Sequence, residues 1–407
     1  MALADAVSRT DAVSLTDLTP VGDVIGLAVV VVSLLAGLWL SHNIIALPIM
    51  SPPRPPGTAD TPPHVSVIVP ARNEAAILPG LLDSIAQLDP PVAEIVVVDD
   101  ESQDGTGEIA RRQGARVLSP DPRPPGWTGK AWACYTGATH TRGSLLLFLD
   151  ADTHLAPEAL TALLFTHSRH GGLVSVQPFH ETTHTYEHLS AYFNAVAMLG
   201  SAAASHTEAG GAVMAFGPCL LTSRVDYNAV GGHAKVHDAI LDDVELGAAY
   251  SRAGLSVTAW AGGRQVTMRS YPQGLSHLVA GWTKNIASGA GSTPRTLGIA
   301  IGLWVAGHHV AAVGALGAAF TLVSTPYAAG RLWWVLAWAL AYVVVATQLR
   351  GILAKLGTFA WWAWALYPIP LLFFDALFAI SAARTYLTRS VTWRGRAVPL
   401  RPRRGPR

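Results

Sequence analysis

The stretch that most restricts the fold of this chain is an apolar run that ends in two carboxylates. Leu145–Leu149 reads LLLFL and is followed by Asp150-Ala151-Asp152. A continuous apolar run of this length is typical of a strand that is buried on both faces of a parallel sheet. Open α/β sheets bind their ligands at the carboxyl ends of such strands. The run therefore predicts an α/β domain with its site at Asp150 and Asp152.

The two carboxylates are separated by one small residue, at the point where the chain turns out of the strand. Asp150 and Asp152 can therefore both reach one divalent cation. Hard oxygen ligands of this kind suit Mg²⁺ or Mn²⁺ holding a diphosphate. A plain turn after a strand would also explain the pair, so the interpretation depends on the neighbouring strands.

The composition is that of a membrane protein with an aqueous domain. Hydrophobic residues make up 50% of the chain and charged residues only 14%. A net charge of +1 gives no reason to expect nucleic acid as a partner. The two cysteines, Cys134 and Cys219, cannot form a disulfide framework, which favours a reducing compartment.

The N-terminal part predicts a membrane anchor. Residues 1–20 are polar and expected to be loose, whereas residues 21–50 are apolar and long enough for a spanning helix, which needs about 20 residues. The run is too long for a cleaved signal peptide, the alternative reading. Residues 51–63, SPPRPPGTADTPP, form a proline-rich linker. Arg54 and Arg72 follow the anchor and only Arg9 precedes it, so the positive-inside rule places the next domain in the cytoplasm.

From Val65 onward, strand and helix patterns alternate, which predicts a mainly parallel sheet covered on both faces. The predicted strands before the central one are Val65–Val69, Glu94–Val98 and Ala115–Leu118. The predicted helices are Pro79–Leu88, Gly105–Gln113 and Lys130–His140. Residues 64–270 are therefore expected to form the catalytic domain.

Polar clusters follow three of these strands. They are Pro70–Glu74, Asp99–Thr106 and Asp150–Asp152. Helix capping would explain each cluster alone, because Ser, Asp and Glu stabilise helix N-termini. Three acidic clusters at the ends of successive strands of one sheet are harder to explain in that way, and they favour a common binding site.

The segments VSVIVPARNE, EIVVVDDESQDGT and LLLFLDAD resemble the donor half of the family 2 glycosyltransferases, which have a GT-A fold. The resemblance covers roughly residues 64–290. It implies three groups of site residues: Pro70, Arg72 and Glu74 lining the nucleotide site, Asp99 and Asp100 near the base, and Asp150 and Asp152 facing the cation on the sugar-nucleotide diphosphate. It also implies that Lys130, which follows a Gly-rich loop at a helix start, faces the diphosphate; an exposed lysine is the alternative.

The stretch DAILDDVELGAAYSRAG at 238–254 resembles the family's Glu-Asp motif, with Asp242 where Glu is commoner. Inverting transfer needs a base that deprotonates the acceptor as it attacks the anomeric carbon. The resemblance implies that Asp243 is this base and that Asp242 lies on the acceptor side, although helix capping would also explain the pair. The presence of a catalytic base favours a hydroxyl group as the acceptor, since a carboxylate or phosphate is already ionised and needs no deprotonation.

Residues 271–292 have apolar helical spacing and are expected to form an interfacial amphipathic segment. Processive polysaccharide synthases of the family carry Gln-x-x-Arg-Trp here. This chain has Leu278 and Gly281 at the Gln and Arg positions and keeps only Trp282, which disfavours processive synthesis. Trp282 is expected to line the acceptor entrance or to anchor the segment at the membrane surface. A polar stretch, His180–His188, fits no standard zinc site and is expected to be a solvated, amphipathic segment.

Residues 293–383 are expected to form a C-terminal membrane region. Leu297–Val323, Leu332–Leu349 and Phe359–Ile380 are each long enough to span. The basic tail, residues 384–407, should remain cytoplasmic, but three full spans would place it outside. We therefore expect Phe359–Ile380 to be re-entrant, broken or interfacial. His308 and His309 are costly in a span unless they hydrogen-bond within the protein or face an acceptor head group.

Further segments narrow the resemblance to families that glycosylate lipids. PPGWTGKAWACYTGA, GWTKN and VTWRGR look like the bacterial carotenoid (diaponeurosporenoate) and hopanoid-associated glycosyltransferases, and GHH, TQLRG and WRGR are similar to ceramide glucosyltransferases. The resemblance implies a Mg²⁺- or Mn²⁺-dependent, inverting enzyme of the cytoplasmic membrane, with its catalytic domain facing the cytoplasm. It would transfer a hexose, with UDP-glucose as the first choice of donor, to a sphingolipid, carotenoid, hopanoid or similar lipid. The alternatives are a polyprenyl-phosphate sugar synthase, a processive synthase and an inactive membrane scaffold.

Overall fold

The computed structural model describes residues 15–42, 44–48, 64–202, 215–239, 241–290, 293–324, 329–388, 390–393 and 396–399. The strands are β1 Val65–Ala71, β2 Glu94–Asp99, β3 Arg116–Leu118, β4 Leu145–Leu149, β5 Thr153–Leu155, β6 Leu173–Gln177, β7 Phe179–His180, β8 Cys219–Ser223, β9 Val257–Ala261, β10 Val266–Met268, β11 Ser390–Trp393 and β12 Arg396–Pro399. The helices are α1 Leu15–Ser41, α2 Leu78–Ala86, α3 Thr106–Arg112, α4 Gly129–His140, α5 Ala159–His170, α6 Ala191–Ala202, α7 Arg224–Ala229, α8 Gly232–Lys235, α9 Asp242–Arg252, α10 Leu275–Ala290, α11 Arg295–Ser324, α12 Ala329–Leu356, α13 Trp361–Ala365 and α14 Pro368–Thr388, and Thr185–Ser190 is a 3₁₀ helix.

The main sheet of the described residues has seven strands in the order β3-β2-β1-β4-β8-β6-β9. All neighbours run parallel except β8, which is antiparallel to both β4 and β6. Side chains of β1 alternate between two cores: Val67 and Val69 pack with α2 and α5, and Ile68 packs with α4. The predicted α/β fold with a mainly parallel sheet covered on both faces is confirmed.

A small second sheet lies beside the carboxyl end of β4. β5 pairs with β10 in antiparallel fashion, with Thr153 opposite Met268. β10 in turn runs parallel to β7, with Met268 opposite His180. The chain that leaves β10 therefore passes beside Asp150–Asp152, a proximity that local sequence patterns do not encode.

The N-terminal helix differs from its expected bounds. α1 begins at Leu15, before the expected start at residue 21, and it ends at Ser41 rather than continuing to residue 50. Residues 44–48 are extended beside β9: the Leu47 N–H donates to the Ala261 carbonyl at 2.9 Å, and the Ala261 N–H donates to the Ile45 carbonyl at 2.8 Å. This pairing satisfies backbone groups that an open sheet edge would leave exposed. The predicted linker, residues 51–63, lies outside the described residues.

Three helical segments of the described chain are long and apolar enough to cross a membrane: Val21–Ser41, Arg295–Ser324 and Leu332–Leu356. α1 packs closely along α11, where Gly307 leaves room for Ser33 and the Ser33 hydroxyl donates to the Trp304 carbonyl at 2.9 Å. This close approach of a small residue is typical of packing between spanning helices.

The predicted span Phe359–Ile380 is broken, as expected. α13 ends at Ala365, and α14 begins at Pro368, where a proline fits the first turn of a helix. The path of this stretch relative to a membrane stays a prediction. α14 continues to Thr388, into the predicted basic tail 384–407, and is followed by the β11–β12 hairpin.

The two histidines of α11 bond within the protein. Nδ1 of His308 is 2.7 Å from the Trp304 carbonyl oxygen, and the ring packs against Tyr192 and Tyr367. Nε2 of His309 is 2.7 Å from Oδ2 of Asp375 on α14. These contacts favour the structural interpretation of both histidines over a role at the acceptor.

The stretch His180–His188 has one exposed and one buried set of residues, as expected of an amphipathic segment: Glu181, Thr183, His184 and Thr185 are exposed, whereas His180, Glu187 and His188 are buried. Glu187 is 3% exposed and accepts hydrogen bonds from the N–H groups of Thr183 and His184, which caps the 3₁₀ helix. Burial alone would raise the pKa of Glu187, but these N–H groups and the Arg269 guanidinium lower it overall. Nη2 of Arg269 lies 3.0 Å from Oε1 of Glu187. The capping hydrogen bonds and one ion pair therefore stabilise Glu187 in its buried position.

We expect Arg269→Ala to destabilise the protein by about 3 kcal/mol, because it leaves the buried Glu187 carboxylate without its cation. This is the lower end of the usual range, since the Arg269 side chain is 35% exposed and partly screened. Denaturant unfolding in detergent measures the change. The control is Arg252→Ala, which removes an exposed pair with Glu245 at 3.9 Å and should cost less than about 1 kcal/mol. Equal losses in both variants would contradict the prediction.

Candidate active site

The turn after β4 holds the paired carboxylates in a fixed position. The Asp150 N–H donates to the Pro218 carbonyl at 3.0 Å, and the Thr153 hydroxyl donates to the Asp150 carbonyl at 2.7 Å. Oδ1 of Asp150 is 2.7 Å from Nζ of Lys130. The lysine and the first carboxylate of the pair therefore meet at the carboxyl end of the central strand.

Lys130 lies in the first turn of α4, where the Thr128 hydroxyl caps the helix by accepting from the Ala131 N–H at 3.3 Å. Burial alone would lower the pKa of Lys130, but Asp150 first, and then Asp242 and Asp243, raise it well above its usual value. Lys130 is therefore a charged lysine surrounded by carboxylates, and the alternative of a freely exposed lysine is wrong.

Asp243 opens helix α9 on the other side of Lys130. Its Oδ2 accepts from the Gly217 N–H at 2.7 Å, and its Oδ1 accepts from the Val244 N–H at 2.9 Å. Burial, and then the neighbouring charge of Asp242, raise the pKa of Asp243 to about 6. A carboxylate with a pKa near neutrality suits a general base.

Some of the predicted donor residues meet the predicted base at one small gap, whereas Arg72, Glu74, Asp99, Asp100 and Asp152 are not among its lining residues. Its lining includes Pro70, Lys130, Asp150, Gly217, Asp242 and Asp243. Asp242 is 6% exposed, and its Oδ2 is without a hydrogen-bond partner in the part of the chain that the structure describes. A buried carboxylate oxygen of this kind costs free energy unless a ligand or cation satisfies it.

Asp152 lies on the other side of the turn, beside Glu74. Burial, followed by the charges of Asp150 and Glu74, raises the pKa of Asp152 to about 7. This crowding of acidic groups fits a divalent cation, because a bound cation would favour the ionised forms. Among the described residues no three His, Cys, Asp or Glu side chains converge on one ion position. A cation held by Asp150 and Asp152 would therefore need further oxygen ligands from a diphosphate.

The first two polar clusters join the ends of β1 and β2. Nη1 of Arg72 is 3.4 Å from Oδ2 of Asp100. Asn73, in the left-handed region with a φ of 54°, donates its N–H to Ser102 Oγ at 2.9 Å. Oδ1 of Asp99 accepts from the Ser102 N–H at 3.0 Å. Asp99 therefore shapes the loop, whereas Arg72 and Asp100 form a polar pair at the predicted nucleotide site.

Cross-links of the same kind continue into the first turn of α3. The Ala75 N–H donates to Oδ2 of Asp104 at 3.0 Å, and the Glu74 N–H donates to the Thr106 hydroxyl at 2.9 Å. Capping alone does not describe these side chains, because they also tie the two loops together.

Trp282 lies apart from this group. Its ring stacks on Phe193 with centroids 4.8 Å apart, and its Nε1 donates to Ser190 Oγ at 3.1 Å. These contacts lie inside the protein and disfavour the alternative of an anchor at the membrane surface.

Sequence reasoning missed Gly217. A β-carbon at this position would lie 2.8 Å from Oδ2 of Asp243 and 3.1 Å from Nζ of Lys130. A glycine is therefore required for the backbone N–H to approach the carboxylate of Asp243. A single Gly before Pro218 carries no signal that would have revealed this role.

Residues 66–231 match the family described as Glycosyl transferase family 2. The chain is 36% identical over 337 residues to the 4,4'-diaponeurosporenoate glycosyltransferase of Staphylococcus aureus (strain MRSA252), which covers 82% of this chain and 87% of the relative. It is 40% identical over 254 residues to the protein of the same name from Staphylococcus haemolyticus, covering 61% of this chain and 68% of the relative.

Among solved structures, the mannosyltransferase of Pyrobaculum calidifontis in complex with GDP-Man and Mn²⁺ superimposes with a TM-score of 0.53. The alignment covers 90% of this chain and 99% of that chain at 19% sequence identity. At this level of identity the similarity supports the predicted fold and carries no information about the substrate.

Proposed function

Because the chain belongs to glycosyltransferase family 2 and is a glycosyltransferase, we propose that it transfers a hexose, with inversion, from a nucleotide sugar to a membrane lipid. The observation that carries this proposal is the convergence of Lys130, Asp150 and Asp243 at the carboxyl end of β4. A donor diphosphate, a cation and an acceptor base need such an arrangement of charges. The roles of the individual residues are part of the proposal.

The donor site is proposed to hold UDP-glucose, with Arg72 and Asp100 at the nucleotide. Asp150 and Asp152 would hold Mg²⁺ or Mn²⁺, which when bound supplies Lewis-acid stabilisation to the departing diphosphate. Lys130 is a protein cation at the same place, and we propose that it exchanges its ion pair with Asp150 for the phosphate oxygens of the donor. Each of these contacts would be stronger with the leaving diphosphate than with the intact donor.

The acceptor is proposed to be a long apolar carboxylic acid of the carotenoid type. The names of both relatives contain diaponeurosporenoate, which is a carboxylate. A carboxylate acceptor departs from the hydroxyl acceptor that the sequence favoured. An acid that enters from a bilayer meets a low dielectric, which raises a carboxyl pKa and keeps the group protonated. A base is therefore useful for a lipid acid as well as for an alcohol.

In the proposed reaction the acceptor oxygen attacks the anomeric carbon from the face opposite the nucleotide. The bond between that carbon and the diphosphate oxygen breaks, and the nucleoside diphosphate leaves with the electron pair. Asp243 takes the acceptor proton. Its carboxylate is oriented by the hydrogen bonds that it accepts from the N–H groups of Gly217 and Val244. The product is a glycosyl ester if the acceptor is an acid.

The catalytic domain is proposed to face the cytoplasm, where nucleotide sugars are available. The helices that could cross a membrane flank the domain on both sides in sequence, so an acceptor could reach it laterally from the bilayer. The absence of Gln and Arg at Leu278 and Gly281 argues against a processive synthase. A polyprenyl phosphate as acceptor and an inactive scaffold are the remaining alternatives.

Donor binding is expected to stabilise the purified protein. UDP at about 100 times its dissociation constant, with Mn²⁺, should add about 2.7 kcal/mol to the free energy of unfolding. Thermal unfolding in detergent measures the shift, and the same series with GDP, ADP and a chelator shows which base and whether a cation is needed. An inactive scaffold would give no shift with any of them, a result that would overturn the proposal.

A further inference from the structure

A large open cavity lies outside the proposed donor site. It has a volume of ≈ 800 Å³ and is bounded by the 3₁₀ helix Thr185–Ser190, the loop after β10 and α13. Its lining includes Tyr186, Leu189, Pro272, Gln273, Gly274 and Trp362. No donor-binding or base residue is among its lining side chains, so the cavity is a separate feature of the fold.

Tyr271 directly precedes the lining residues Pro272, Gln273 and Gly274, on the side of the cavity that faces the paired carboxylates. Thr153 pairs with Met268 in antiparallel register, so Tyr271, three residues beyond Met268, comes beside the turn that carries Asp150 and Asp152. The residues that follow Tyr271 line the cavity. Burial and the charge of Asp152 raise the pKa of the Tyr271 hydroxyl, in agreement with this position.

Tyr271 is held in a conformation that a side chain rarely adopts. Its φ of 61° lies in the left-handed region, which is unfavourable for a non-glycine residue. The strain is fixed by Tyr186, whose hydroxyl donates to the Tyr271 carbonyl at 2.9 Å and accepts from the Gly274 N–H at 3.1 Å. Backbone strain of this kind is retained where the surroundings impose it, and it is common at ligand sites.

The ring of Tyr271 occupies space that exists because residue 281 is glycine. A β-carbon at Gly281 would lie 2.7 Å from both Cζ and Oη of Tyr271. Gly281, which stands at the Arg position of the processive motif, therefore leaves the space that the Tyr271 ring occupies. His277 completes the enclosure with an edge-to-face contact at 5.4 Å.

The opposite end of the cavity leads to apolar surface. Trp362 lines the cavity, and its neighbour Trp361 is 65% exposed, followed along α14 by the exposed side chains of Ile369 and Leu372. Exposed apolar surface of this extent on a helix beside spanning helices suits contact with lipid tails. A long apolar molecule could therefore pass from this surface into the cavity.

We propose that this cavity binds the apolar chain of the lipid acceptor and that the Tyr271 hydroxyl positions the reacting carboxyl group on the side of the cavity that faces the paired carboxylates. The inference rests on the proposed function and adds the acceptor site to it. A neutral tyrosine hydroxyl donates a hydrogen bond to a carboxyl oxygen without adding charge beside Asp152. Tyr186, Leu189, Pro272 and Trp362 supply apolar and aromatic contacts for the chain, beside the polar side chains of His184, Thr185 and Gln273.

The first test fills the cavity. Leu189→Trp should raise the KM for the acceptor at least about 10-fold, as expected when an apolar contact site is blocked, and should leave the UDP–Mn²⁺ thermal shift unchanged. The matched control is Leu316→Trp, because Leu316 is 70% exposed on α11 and neither it nor any other residue of α11 lines the cavity. An unchanged acceptor KM in Leu189→Trp would overturn the assignment of the cavity.

The second test removes the hydroxyl of the tyrosine. Tyr271→Phe keeps the ring in place and should lower kcat/KM for the acid about 10-fold or more, the value of one hydrogen bond to a polar reacting group. The same variant should change kcat/KM much less for the corresponding alcohol, so the preference for the acid falls. A structural role would lower both equally, and that result would overturn the positioning role.

The third variant, Gly281→Ala, displaces the ring and should resemble Tyr271→Phe. Its control is Gly298→Ala, where a β-carbon meets no atom within 4 Å. A wild-type enzyme that glycosylates the acid while Leu189→Trp retains the wild-type KM would overturn only the acceptor site. A wild-type enzyme that uses no lipid acceptor would overturn the proposed function together with this inference.

Discussion

Asp152→Ala is expected to lower kcat by about 10²–10³-fold or more, the usual cost of removing one group that stabilises developing charge. Asp152 is one of two carboxylates proposed to hold the cation, and burial and the charges of Asp150 and Glu74 raise its pKa to about 7. Turnover of UDP-glucose at saturating Mn²⁺ measures the loss. The UDP–Mn²⁺ thermal shift should fall in parallel, because donor and cation bind together.

The matched control for this variant is Asp83→Ala. Asp83 is exposed on α2 and accepts a hydrogen bond from Gln113 at 2.8 Å, on an element that contributes no residue to the site. Its replacement should leave turnover within about 2-fold, as is usual for surface substitutions. Full activity of Asp152→Ala with an intact thermal shift would remove the paired carboxylates from the mechanism.

Asp243→Asn is expected to lower kcat by about 10²–10⁴-fold, the usual contribution of a general base. Asparagine has the size of aspartate but cannot take a proton. In the wild-type enzyme the base must be ionised, so kcat/KM should fall as the pH drops through about 6, the raised pKa of Asp243. The same variant should lose this acidic limb, which a stopped assay over a pH series would show.

Asp243→Asn should lose activity without a matching loss of stability. The folded protein holds Asp243 at a pKa above its ordinary value, so the fold favours the protonated form. Its ionisation therefore costs stability as the pH rises from about 4 to above 6. Asp243→Asn removes this cost but offers one acceptor oxygen to the two N–H groups of Gly217 and Val244, so the two effects oppose each other and the stability at pH 7 should remain close to that of the wild type.

The residual activity of Asp243→Asn also reports on the acceptor. A lipid acid can lose its own proton to the solvent as the pH rises, so the variant should recover part of its rate at high pH. An alcohol does not ionise in this range, and its transfer should remain slow. Recovery of the rate at high pH therefore supports a lipid acid as the acceptor. A rate that stays low at every pH, with measurable product, would identify a hydroxyl acceptor.

Much of the sheet could be predicted from the sequence because its signals are local. The apolar runs of β1 and β4 require burial on both faces, and the acidic residues that end them mark the carboxyl edge of the sheet. Asp150 and Lys130 are 20 residues apart in the numbering, yet the parallel topology brings the end of β4 and the start of α4, the helix that precedes β4, to the same edge of the sheet.

The features that escaped prediction depend on contacts between distant segments. Residues 44–48 read as part of an apolar anchor, and only the open edge of β9 explains why they are extended. In the sequence, Gly281 indicated only that the Arg of the processive motif is missing. That it leaves space for the Tyr271 ring is visible only in three dimensions. Likewise Glu187 has the sequence context of a solvated residue, and its burial follows from capping and Arg269.

The most direct test of glycosyl transfer to a lipid acid is the mass of the product. Purified wild-type enzyme in detergent would receive UDP-glucose, Mn²⁺ and a carotenoid carboxylic acid, beside Asp152→Ala. We predict a new species with the mass of the acid plus one hexosyl residue, labile to mild alkali as an ester, formed by the wild type and absent from the variant. The proposed function would be contradicted if the wild-type enzyme consumed no nucleotide sugar, or if Asp152→Ala formed as much product as the wild type.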